Sequence, residues 1–130
     1  MNAGATGVGI TRIGQIAINV KNVERATAFY QEKLGLTLLF KAPPSLSFFD
    51  CGGVRLMLQV PEKPEFDHPN SILYLSVPDI QATQSKLKQY EVGFEDEPHV
   101  IAKMPAHDLW ITSFRDSEGN LLALMSEVAH

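Results

Sequence analysis

The chain repeats a stretch of itself. Phe48-Phe49-Asp50-Cys51-Gly52-Gly53-Val54-Arg55-Leu56-Met57-Leu58 returns 66 residues later as Phe114-Arg115-Asp116-Ser117-Glu118-Gly119-Asn120-Leu121-Leu122-Ala123-Leu124. Phe48/Phe114, Asp50/Asp116, Gly53/Gly119, Leu56/Leu122 and Leu58/Leu124 match in register. An internal repeat governs the architecture before any local propensity does. Each copy reads as strand, Asp-Gly turn, strand, a hairpin signal. A fainter echo precedes each copy: Ile18-Asn19-Val20-Lys21-Asn22-Val23, then Leu75-Ser76-Val77-Pro78-Asp79-Ile80, each followed by a helical pattern. Each half is therefore strand, helix, three strands.

At 130 residues the chain has the size of one domain made of two such halves. A 45% hydrophobic and 20% charged composition is that of a globular protein. The net charge of −4 and the lack of any basic run longer than a pair argue against a nucleic-acid role, since phosphate binding needs concentrated Lys and Arg. A single cysteine, Cys51, excludes an internal disulfide and a cysteine-rich zinc module and suits a reducing cytoplasm, the expected location. Residues 1–10 read as a flexible leader, without the basic start and apolar core of a signal peptide. No apolar run approaches membrane-spanning length.

The first module spans 11–60, a linker with three prolines 61–70, and the second module 71–128. In the first, a strand over 10–20 precedes a helix over 23–34, capped by Asn22 and closed by Gly35. Val23, Ala26, Tyr30 and Leu34 form the helix's buried stripe. Strands over 36–41, 45–50 and 54–60 follow. In the second, a strand over 71–77 precedes a helix capped by Asp79 and running to about Tyr90. Strands near 94–102, 108–115 and 121–127 complete it. The fold class is α+β, two tandem βαβββ modules with mixed sheets curved around a shared cavity.

These paired modules, Phe29-Tyr30 ahead of Leu34-Gly35, and Phe114-Arg115-Asp116-Ser117-Glu118-Gly119-Asn120-Leu121 resemble the vicinal oxygen chelate superfamily. That superfamily includes glyoxalase I, extradiol dioxygenases, fosfomycin resistance proteins, methylmalonyl-CoA epimerase and bleomycin resistance proteins. The likeness extends over 11–128 and is specific for fold. It does not choose among the chemistries the fold hosts.

The resemblance implies four metal ligands, one from the first and one from the last strand of each module, with open positions for two adjacent substrate oxygens. Carried over by position, the first-strand ligands fall on Gln15 and Ile72, each seven residues before a helix cap. The last-strand ligands fall on Met57 and Ala123, each four residues after a turn glycine. Only Gln15 is a competent ligand, because Ile and Ala cannot coordinate and a thioether suits hard or borderline divalent ions poorly. No metal and no cofactor are expected at that place.

Strand parity puts Gln15, Ala17 and Asn19 on one face with Arg55, Met57 and Gln59, with Ile72, Tyr74 and Ser76, and with Leu121, Ala123 and Met125. That wall is largely apolar with a few polar groups, as in small-molecule pockets. Gln15, Arg55, Met57, Tyr74 and Trp110 are the expected ligand-binding residues, while Met57, Ile72 and Met125 have an equally good reading as core filler. Arg55 is the strongest hint, since a sequestered guanidinium pairs with a carboxylate or phosphate. His99 and His107 flank 100–106, a hairpin connection able to cover the pocket mouth, and are the candidate catalytic groups. His68 in the linker, His99 and His107, with Gln15 or with Glu95-Asp96-Glu97, form the set from which an alternative metal site would be rebuilt. Cys51 has no neighbouring histidine to activate it.

Two readings follow. One is a metal-free binding protein of the bleomycin-resistance kind, a homodimer sequestering a small ligand in its cupped sheet. The other is a metal-dependent lyase, epimerase or dioxygenase acting on a vicinal-oxygen substrate through Gln15 and a rebuilt histidine site.

Overall fold

The computed structural model describes residues 7–130. The expected leader over 1–10 therefore lies, for its first six residues, outside the described residues. Two helices and eight strands follow one another as two βαβββ modules. The first is β1 (Gln15–Asn19), α1 (Val23–Ala28), β2 (Thr37–Ala42), β3 (Leu46–Cys51) and β4 (Val54–Gln59). The second is β5 (Leu73–Ser76), α2 (Ile80–Gln89), β6 (His99–Lys103), β7 (His107–Arg115) and β8 (Leu121–Ala129). Each module forms a four-stranded mixed sheet, ordered β1-β4-β3-β2 and β5-β8-β7-β6. The helix carries the chain across to make β1 parallel to β4 and β5 parallel to β8. The hairpins make every other pairing antiparallel. The α+β class and the repeat are thus as the sequence implies. No described helix is long and apolar enough to cross a membrane.

Local chemistry sets the elements. Asn22 Oδ1 accepts from Arg25 N at 2.9 Å, and Asp79 Oδ1 accepts from Ala82 N at 3.0 Å, so each helix starts on a side-chain cap. The repeated turns need left-handed backbone, which glycine adopts without a Cβ penalty: Gly53 has φ of 90° and Gly119 of 85°. Past Ala28 the first helix widens into a π-helical turn over Phe29–Lys33, with Leu34 N donating to Phe29 O at 3.1 Å. The wider turn lets the consecutive Phe29 and Tyr30 both face the core.

Three boundaries depart from expectation. β1 starts at Gln15, because Ile10 and Ile13 are exposed and have no sheet to join. The strand expected near 94–102 shrinks to a single bridge at Phe94 and to β6, because the chain bends at Glu95 and Asp96, where the Asp96 side chain accepts from Thr112 and Ser113. Val100 to Lys103 belong to β6, so the connection between His99 and His107 is only Met104 to Ala106, too short to cover a pocket mouth.

One core serves both modules. Ile18, Val23, Ala26, Phe29 and Tyr30 pack with Phe49, Leu56 and Leu58, and continue into Ile80, Leu87, Phe114, Leu122 and Leu124. The halves are also tied by polar groups. Tyr30 Oη donates to Asp116 Oδ2 at 2.7 Å. Burial first, then the Asp116 carboxylate, holds that phenol well above its ordinary pKa. Glu118, whose side chain is 1% exposed, accepts from Arg25 Nε at 2.7 Å and Nη2 at 2.8 Å. It also accepts from Lys21 N and Asn22 N, each at 2.9 Å, and from Ser117 Oγ at 2.7 Å. The Arg25 hydrogen bond, helped by Ser117 and the two backbone donors, lowers the Glu118 pKa to about 2 against the desolvation that opposes it.

Candidate functional site

Each sheet turns one face to the shared core and leaves the other open. On the open face of the first sheet, β1 and β4 run in register, pairing Gln15 with Arg55 and Ala17 with Met57. β3 adds Phe48 opposite Met57, and β2 adds Phe40 opposite Phe48. Arg55 Nε donates to Gln15 Oε1 at 2.8 Å, and its guanidinium lies 5.6 Å from the Phe48 ring centroid. Gln15 Nε2 in turn contacts Met57 Sδ at 3.6 Å. Phe40 and Phe48 stack with centroids 4.4 Å apart and ring planes 20° apart. Arg55 is exposed in the single chain, yet it lies along the sheet between Gln15 and Phe48. Among the described residues no carboxylate forms an ion pair with it. Beside this face Pro44, Leu46, Met57, Gln59 and Phe66 line a cleft of about 250 Å³.

The structure thus brings Gln15, Arg55 and Met57 together. Tyr74 lies on the open face of the second sheet, 49% exposed and paired with Ala123. Ile72 precedes β5 and is likewise exposed. No strand of one sheet pairs with a strand of the other. Trp110 is not beside Met57. It shares parity on β7 with the buried Thr112 and Phe114, so it packs against the core on the helix side of the second sheet.

The histidines do not converge. His99 pairs with Ile111, four residues along β7 from His107, a separation of about 13 Å at about 3.3 Å per residue. His107 Nε2 sits 3.0 Å from Glu127 Oε2, and His99 Nδ1 lies 2.8 Å from the Glu97 carbonyl. His68 Nδ1 lies 3.1 Å from the Pro69 carbonyl, in a cleft of about 290 Å³ between the modules with Asn19, Asn70 and Asn120. Asp96 accepts from Thr112 and Ser113, while Glu95 and Glu97 pair with Arg115 and Lys88. Among the described residues no group of three or more His, Cys, Asp or Glu is placed to hold a metal ion. Burial and the neighbouring Asp50 push the Cys51 thiol pKa up, away from the nucleophilic thiolate.

The four positions that the resemblance assigns to metal ligands carry an amide, a thioether and two hydrocarbons, and the amide oxygen already accepts from a guanidinium. That donor set does not fit a divalent ion.

Sequence reading passed over Phe40 and Phe48 as site residues, although the parity that selects Met57 selects Phe48 across the ladder. It also passed over Glu118, whose role depends on where the second hairpin meets α1.

No curated protein sequence matches the chain. Among solved structures, a lactoylglutathione lyase from Agrobacterium tumefaciens superposes with a TM-score of 0.67 at 21% identity, covering 90% of this chain and 94% of its own. A member of the glyoxalase/bleomycin resistance protein/dioxygenase superfamily from Sphaerobacter thermophilus gives 0.75 at 24%, covering 91% and 98%. TnmS3, an antibiotic-binding protein from a Streptomyces species, gives 0.72 at 25%, covering 91% and 97%. The family model for this same superfamily matches residues 12–124, and the chain belongs to the Glyoxalase/Bleomycin resistance protein/Dioxygenase superfamily.

Proposed function

We propose that this protein binds and sequesters a small molecule without a metal ion, using the open sheet face built by Gln15, Arg55 and Met57. The observation that carries the reading is the composition of that face. Of the four positions that the family resemblance assigns to metal ligands, only Gln15 holds a competent group and its oxygen accepts from Arg55, while aromatic and thioether surface lies beside it. Such a face, mostly apolar with few placed polar groups, suits a small ligand. The likeness to an antibiotic-binding protein supports the same reading.

The protein acts in the cytoplasm as a homodimer. Phe40 is 47% and Tyr74 49% exposed, so each open sheet face presents an aromatic side chain. A second copy laying its Tyr74 face over the Gln15 face would close a cup, with Tyr74 supplying flat surface to the ligand. Sedimentation equilibrium of wild type against Tyr74→Glu tests the assembly: a dimer that the variant dissociates is expected, and a wild-type monomer overturns it. For the binding reading, protein purified without tag or chelator is assayed for metal, and its Met57 methyl signal is followed during a small-molecule screen. Stoichiometric zinc, nickel, iron or manganese held by Gln15 with a histidine would overturn the reading in favour of a metal-dependent enzyme.

A further inference from the structure

The first sheet places a positive charge beside Gln15 and Met57, two of the four positions that the family resemblance assigns to metal ligands. Arg55 is in register with Gln15, and it stands two residues from Met57 on the same side of β4. Its Nε is committed to Gln15 Oε1 at 2.8 Å. The Phe48 ring centroid lies 5.6 Å from the guanidinium carbon, within cation–π range. These two contacts leave the Nη1 and Nη2 edge, four N–H donors in a planar fork, without an acceptor among the described residues. The nearest acid across the ladder, Asp50, accepts from Gly53 N at 3.3 Å within its own turn and forms no ion pair with Arg55. Arg12 reaches the same hairpin, its Nη1 donating to the Gly53 carbonyl at 2.9 Å. Two guanidinium groups thus gather at one end of this sheet in a chain whose net charge is −4.

We infer that the ligand of this face is an organic anion, a carboxylate on a flat apolar body, anchored by the Nη edge of Arg55. The inference rests on the ligand-binding reading above and adds the ligand's charge and shape. A planar fork matches the two oxygens of a carboxylate in bidentate fashion and is stronger than a neutral hydrogen bond. Gln15 acts as a positioning residue, since its oxygen holds Nε and so aims the free edge outward. The half-exposed Phe40, stacked on the largely covered Phe48, and Met57 provide the apolar surface on which a ring lies. In effect the guanidinium supplies the positive charge that a divalent ion would otherwise bring to two adjacent oxygens. The same charge disfavours such an ion there.

The test uses 2-naphthoate and its neutral counterpart 2-naphthamide against the full-length protein at neutral pH, read by the Arg55 Nε–Hε and Met57 methyl signals. The expected result is that naphthoate shifts both signals and binds at least about tenfold more tightly than the amide. Arg55→Met removes the preference and Arg55→Lys keeps part of it, because an ammonium lacks the fork. Gln15→Ala weakens naphthoate while leaving the amide unchanged. Equal affinities with Met57 shifts for both probes overturn the anion inference and leave the binding reading standing. No Met57 shift with either probe overturns the binding reading itself. Retained preference in Arg55→Met, shown folded by an unchanged melting temperature, overturns the role of Arg55.

Discussion

Replacing Glu118 by Gln removes the charge that ties the second hairpin to the start of α1 while keeping the side chain's shape. The carboxylate pKa falls from 4.5 to about 2 on folding, chiefly through the Arg25 hydrogen bond. About 2.5 units at ~1.36 kcal/mol each would give about 3.4 kcal/mol, and solvent around the half-exposed Arg25 reduces this to about 1–2 kcal/mol. The new amide group also faces Arg25 or Ser117 with a donor where each needs an acceptor, adding about 1 kcal/mol. The expected loss is about 2–3 kcal/mol by urea denaturation at pH 7, or about 6–12 °C in melting temperature for a chain of this length. Because folding depresses this pKa, the stabilisation is complete above about pH 4.5 and is lost as pH falls toward about 2. By pH 3.5 roughly two-fifths of the ionic part is gone, so wild type and variant draw together. A gap below about 0.5 kcal/mol at pH 7, or one that stays constant from pH 7 to 3.5, refutes the account.

Tyr30→Phe removes the donor to Asp116 and should cost about 1–2 kcal/mol in urea denaturation, with the aromatic packing against Phe29 and Phe49 retained. Asp116→Ala strips the acceptor from Tyr30 Oη, Glu118 N, Asn120 N and Asn120 Nδ2 and should cost more than about 3 kcal/mol. Asp50→Ala, at the matching place in the first copy, should cost less than about 1 kcal/mol; equal losses at the two sites would contradict the contacts described. Added zinc, nickel or manganese should move the melting temperature by less than about 1 °C, since stabilisation requires binding to the folded state.

The repeat was legible because its signals are local: an Asp-Gly turn between alternating strands, and Asn22 or Asp79 ahead of an apolar helical stripe. Parity likewise located Gln15, Arg55 and Met57, because in-register pairing of β1 with β4 needs only matched alternation. Trp110 was misplaced because parity must be counted from a buried anchor. Once Phe114 faces the core, Trp110 four residues earlier must do so too. The π-helical turn was hidden for a different reason. Phe29-Tyr30 reads equally well as continued α-helix, and only the need to bury both rings in a core shared with the second module widens the turn. The histidines flanking 100–106 were read as a flap, but Val100 to Lys103 pair along β7, and a ladder holds its ends apart.

The two copies of the hairpin have been put to unequal use. Asp116 holds its own turn through Glu118 N and Asn120 and accepts from Tyr30 of the other half, while Glu118 accepts from Lys21, Asn22 and Arg25, so the second copy is a seam between the halves. The first copy keeps the Asp-Gly turn and leaves Asp50 with a single long hydrogen bond, and in the position matching Leu121 it carries Arg55. The duplicated hairpin thus carries its ties between the halves in one copy and an outward-facing guanidinium in the other. Substitutions that retune what is bound can fall on the outward-facing Asp50 and Arg55 at little cost to folding, whereas changes at the matching Asp116 or at Glu118 would open the seam between the halves. A protein arranged in this way can acquire a new ligand by altering one hairpin while its twin keeps the two halves joined.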